Sequence, residues 1–115
     1  MKKYSGIIVR ESFEDKEALD DLETVSIKEV GDMDNPKEIW NLHKVMVSKE
    51  EIKSIQKYLK QGWYMHFWDK NQNVIVVFRD KMFQFDYNNE VSWNPAIKYG
   101  LSLGIPKEQL DFTLD

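Results

Sequence analysis

Residues 62–78 read GWYMHFWDKNQNVIVVF. Aromatic rings, one of the two histidines and a methionine crowd the first part, DKNQN breaks it with turn residues, and an almost unbroken apolar run follows. Two such runs around a polar break predict a β-hairpin. Successive side chains of a strand point to opposite faces. Trp63, Met65 and Phe67 therefore share one face, and Tyr64, His66 and Trp68 the other. The first set is wholly apolar, whereas the second carries a hydroxyl, an imidazole and an indole N–H. A two- or four-residue turn within DKNQN, with Asn71 at positive φ, places the first set with Val74, Val76 and Phe78 beneath helices. A five-residue turn would exchange the two sets.

MFQFDY (82–87) extends the hairpin into a meander. A two-residue turn at Asp80-Lys81 sets Phe78 opposite Phe83 and Val76 opposite Phe85, so Phe83, Phe85 and Tyr87 join the core face. The reverse face then collects Tyr64, His66 and Trp68 with Ile75, Val77, Arg79, Gln84 and Asp86. Apolar groups and amphipathic rings together make a larger patch than a monomer usually leaves open. Something should cover it: the loop 31–39, a second subunit or a ligand.

Working outward, Ser48 followed by Glu51 forms a capping box, with Val47 and Ile52 as a hydrophobic staple. Ile52, Ile55 and Leu59 then line one face, and Gly62 suits a left-handed C-terminal cap, which predicts a helix over 49–61. YSGIIVRE (4–11), TVSIKEV (24–30) and WNLHKVMV (40–47) read as strands, and SFEDKEALDDL (12–22) as a short helix capped by Ser12. SWNPAIKYGLSLG (92–104), with Pro95 in its first turn and Gly104 at its end, is the last long helix, and PKEQL adds one turn. The order β-α-β-β-α-β-β-β-α predicts an α+β fold, a mostly antiparallel sheet of five or six strands with helices on one face. Its first six elements match an extended ferredoxin-like arrangement.

The chain has 115 residues, no cysteine and a net charge of −4. That length suits one domain and needs no disulfide or metal to supply its core. Without cysteine, thiol nucleophiles and thiolate metal sites are excluded. An acidic chain without a Lys/Arg cluster is unsuited to nucleic acid or an anionic membrane, which both need a positive face. The first apolar run ends at Val9, too short for a signal peptide, and no run has transmembrane length, so a cytoplasmic protein is expected.

Chemical motifs are sparse. His66 and Asp69 are three apart in a strand, hence on opposite faces, so they do not form a dyad. Apolar cross-strand neighbours, Ile75 or Val77, would keep the His66 imidazole neutral. His43 is the only other histidine and neither HxH nor HxxxH spacing occurs, so no metal and no cofactor is expected. Asp20-Asp21 and Glu50-Glu51 sit at solvated or helix-start positions, where the helix dipole accounts for them. The best reading is a non-catalytic binding or interaction module whose second sheet face forms a homodimer interface or a small-ligand pocket. Its candidate residues are Tyr64, His66, Trp68, Arg79, Gln84 and Asp86. The alternative is a small enzyme with a ferredoxin-like dimer cavity, His66 as general acid/base and Arg79 or Tyr64 orienting substrate.

GWYMHFWDKNQNVIVVFRDKMFQF, followed by WNPAIKYGLSLGIPKEQLDF, resembles a family of small uncharacterised bacterial and archaeal single-domain proteins. The resemblance spans nearly the whole chain, from IIVRES to QLDF. That family has no established activity to carry over to these positions, so the resemblance implies a free-standing cytoplasmic single-domain protein and adds no mechanism.

Overall fold

The β-branched and aromatic runs all become strands. The computed structural model of the chain describes residues 3–31, 39–107 and 110. It contains β1 (Tyr4–Val9), β2 (Glu23–Gly31), β3 (Ile39–Val47), β4 (Tyr64–Trp68), β5 (Asn73–Phe78) and β6 (Met82–Asp86). They form one open sheet in the order β2-β3-β1-β4-β5-β6, with every neighbouring pair antiparallel. With the helices α1 (Lys49–Ile55) and α2 (Asn94–Ser102), the fold is α+β as its sequence predicts.

The capping box forms at the start of α1. The Glu51 N–H donates to Ser48 Oγ at 3.2 Å, and the Ser48 N–H donates to Glu51 Oε1 at 3.0 Å. The helix stops well before residue 61, passing through a 3-10 turn at Gln56–Tyr58. A competing pairing ends it. Leu59 is extended and bridges Phe13, while the Glu14 N–H donates to the Tyr58 carbonyl and the Lys60 N–H to that of Ser12, both at 2.7 Å. The same pairing occupies Ser12, Phe13 and Glu14, where the expected helix over 12–22 would start. The segment forms 3-10 turns at Arg10–Ser12 and Lys16–Asp21, the second capped by the Asp15 carboxylate. Ser12 is buried and caps nothing; its hydroxyl donates back to the Val9 carbonyl at 2.6 Å.

The turn DKNQN is the long one. Trp68 pairs with Val74, leaving five residues between them. The Asp69 carboxylate accepts from the N–H groups of Asn71 and Asn73, at 2.9 and 3.0 Å, and Gln72 rather than Asn71 takes positive φ, 64°. The expected face assignment of β4 is therefore exchanged. Tyr64, His66 and Trp68 share a face with Phe78, Val76 and Val74, while Met65 and Phe67 lie with Val77 and Ile75. The next turn uses Arg79 and Asp80, with the Phe78 N–H donating to the Lys81 carbonyl. Val76 then faces Phe83 and Val74 faces Phe85, two residues from the expected register, so the face assignment of Phe83 and Phe85 stands.

Both sheet faces carry a core. On the α1 face, Tyr4, Ile8, Val45, Met65, Phe67 and Ile75 pack beneath Ile52, Ile55, Phe13 and Leu19. On the other, Trp68, Val74, Val76, Phe78 and Phe85 pack beneath Ala96, Ile105 and Leu110. Helices thus lie on both faces, not on one, because Val74–Phe78 is apolar on both sides and each side needs cover. The α2 cover reaches only part of the sheet: Tyr99 meets Phe78 and Phe83, and Trp93 meets Phe85 and Tyr87. Over β3 the same face stays half-open, with Leu42, Lys44 and Met46 partly exposed while His43, Val45 and Val47 are buried behind them.

Candidate functional site

The open half of the α2 face is built by β2, β3 and β1 up to the margin of β4. Register aligns its side chains in rows across the strands. Val30 lies beside Trp40, Lys28 beside Leu42 and then Val9, and Ser26 beside Lys44, Ile7 and then His66. Two adjoining hollows result. One, of about 230 Å³, is lined by Ile7, Val9, Gly62, Trp63, Tyr64, His66 and Ile105. The other, of about 270 Å³, is lined by Val9, Val30, Trp40, Leu42 and Trp63. Val9 and Trp63 belong to both. Trp40 and Trp63 meet edge to face with centroids 5.3 Å apart, the arrangement their ring quadrupoles favour. The loop 31–39, one cover expected from the sequence, lies outside the described residues at positions 32–38.

The six residues singled out in the sequence do not converge. Tyr64, His66 and Trp68 form a column, with ring centroids 6.3 and 5.4 Å apart along it. Tyr64 and His66 line the first hollow, but Trp68 is only 8% exposed and sits inside the α2 core. Arg79 is in a hairpin turn, ion-paired with Glu14. Gln84 and Asp86 stand opposite Ile75 and Asn73, so they lie on the α1 side of the edge strand β6. Sequence reading missed Trp40, Trp63, Ile7, Val9 and Leu42 as site residues. The available signal was WNLH, in which Trp40 and Leu42 alternate with the polar Asn41 and His43.

His43 and His66 occupy opposite faces and cannot share a ligand. His43 is 6% exposed, and neither ring nitrogen has a hydrogen-bond partner. Burial and then the nearby Arg10 charge lower its pKa below the ordinary 6.5, while Glu11 and Asp20 oppose the shift. Among the described residues no three His, Asp or Glu side chains group so as to hold a metal ion. A wider cleft of about 610 Å³ separates the Lys16–Asp21 turn from α1, and carries Asp15, Glu17, Asp20, Asp21 and Glu51. It is larger, yet Asp15 and Glu51 are engaged in capping backbone N–H groups and Glu17, Asp20 and Asp21 are exposed, so the apolar hollows are the better site.

Comparison with family models, curated proteins and solved structures finds no match to this chain. Among the described residues no helix is long and apolar enough to cross a membrane.

Proposed function

We propose that the chain is a non-catalytic, cytoplasmic binding module, and that the open half of the α2 face takes a small apolar molecule. The observation that carries this reading is the pair of adjoining hollows walled by Val9 and Trp63 on a sheet face that α2 covers only in part. Concave, mostly apolar sites with a few polar groups are where small ligands bind. His66 supports binding over catalysis, because its cross-strand neighbours Ile7 and Val76 are both apolar. The order β2-β3-β1-β4 supports a ferredoxin-like arrangement extended by β5 and β6, with the Lys16–Asp21 turn in place of the first helix.

The homodimer is the second reading, moved to another surface. β2 is an edge strand of nine residues with Val25 and Ile27 each 57% exposed, and an unpaired edge can accept a strand from a second copy. The bulge between Thr24 and Ser26 works against such pairing, which is why it ranks second.

Titration with the neutral fluorophore 1-aminoanthracene tests the first reading. Energy transfer from tryptophan should saturate at one molecule per chain, and Leu42→Glu should abolish it while the protein stays folded. Absence of saturable binding overturns the reading.

A further inference from the structure

Each of the two hollows has a lysine beside it on the side of β2 and β3. Register places Lys28 across from Leu42 and Lys44 across from Ile7, so both lysines stand on the α2 face beside residues that line the hollows. Lys28 is exposed and Lys44 half-buried, and neither is ion-paired among the described residues. The far end, against β4, is walled instead by Trp63, Tyr64 and Ile105. Three interstrand spacings of about 4.8 Å separate β2 from β4, so the trough runs roughly 14 Å across the strands. Leu42, Val9, Ile7 and Trp63 make most of its lining apolar, and its two lysines lie on β2 and β3.

We propose that its occupant is an anionic amphiphile, a medium-length saturated chain ending in a carboxylate. This deepens the binding-module reading and rests on it. The tail lies across β3 and β1 into the hollow at Trp63 and Ile105, where each buried methylene adds to affinity. The carboxylate rests between Lys28 and Lys44, compact point charges that suit a single anionic head. Charge also disfavours a second copy on this surface. A two-fold axis passing through the lysine end of the trough would bring the same lysines together, and like charges meeting across an interface select against the pair.

The test compares decanoate, decanol and decylamine, each below its micelle-forming concentration, with tryptophan emission reporting binding and light scattering reporting mass. Decanoate should bind one per chain and at least tenfold tighter than decanol, with decylamine weakest. Replacing both lysines, Lys28→Gln with Lys44→Gln, should reduce decanoate to the level of decanol and leave decanol unchanged. Decanol bound as tightly as decanoate by the unmodified protein overturns the proposal but leaves the apolar site standing, whereas binding of neither overturns both. A decanoate preference that survives the double substitution overturns the placement of the head group. Should scattering give a dimer that Leu42→Glu dissociates, a second copy occupies the trough and the proposal falls.

Discussion

A Cβ on Gly6 would stand 2.1 Å from Cδ1 of Phe67, its partner across the β1–β4 pair, so this strand position tolerates no side chain while the ring lies flat over it. Gly6→Ala should cost about 1–3 kcal/mol, the usual range for overpacking. Phe67→Leu in the same background should recover part of that loss in urea denaturation, and unchanged stability of Gly6→Ala would refute the ring's position. His43 makes a pH-dependent case. Its pKa is depressed in the folded protein by burial and by Arg10, so the unfolded chain binds the proton more readily. The stability it withholds from the acid-denatured state is therefore fully present above about pH 6.5 and is lost as pH falls from there toward the lowered folded value. His43→Leu should flatten thermal stability over that interval and cost little at neutral pH, because an unpartnered polar group is replaced by an apolar one. A steeper acid loss in the variant contradicts this. Neither role is legible in the sequence, where Gly6 is simply part of the strand YSGIIVRE and His43 is weighed only as the one other histidine. Both depend on what lies across the sheet.

At the scale of elements, what is local could be read and what is non-local could not. The start of α1 is written in Ser48 and Glu51, two positions three residues apart whose hydrogen bonds close on each other. Its end depends on Phe13 and Ser12, far away in sequence, and spacing alone extends the helix into residues that pair with them. DKNQN allowed either turn length, and one carboxylate decided between them. Burial pushes the Asp69 carboxyl up, but hydrogen bonds from Asn73 and Asn71 outweigh it and hold the group below its ordinary 3.8. Its contribution is present above that pH and is lost as pH falls below it. Asp69→Ala should therefore destabilise the protein by about 1–2 kcal/mol near neutral pH. Guanidinium denaturation at pH 7 measures this, and an unchanged midpoint would show that the turn forms without the carboxylate. Gln72→Gly should do the reverse. A left-handed conformation costs an L-residue roughly 1–2 kcal/mol, less here by the exposed hydrogen bond that the Gln72 side chain accepts from Asn88. The net gain should be about 1 kcal/mol or less, read by the same denaturation.

For the molecule as a whole, the exchanged faces of β4 relocate the question of self-association. With Trp68 taken as an interface residue, Trp68→Glu would turn a dimer into a monomer. Instead Trp68 packs with Val74, Val76 and Phe85. A glutamate there places an unpaired charge in a core, and the expected result is a loss of about 3 kcal/mol or more, seen as a large drop in melting temperature. Retained stability with a halved mass by light scattering would contradict it. The α+β class and the antiparallel sheet were legible because alternation and turn residues are properties of each segment. The second core was not, since both sides of NVIVVF are apolar and alternation is silent there. The strand order carries a further consequence for how the protein is made. β1, the first strand of the sequence, lies between β3 and β4, which do not pair with each other. In a chain emerging from the ribosome, Ser5 has no neighbour on one side until Met46 appears and none on the other until Trp68 follows. For that interval the nascent protein carries a half-finished sheet whose raw border is its own future centre.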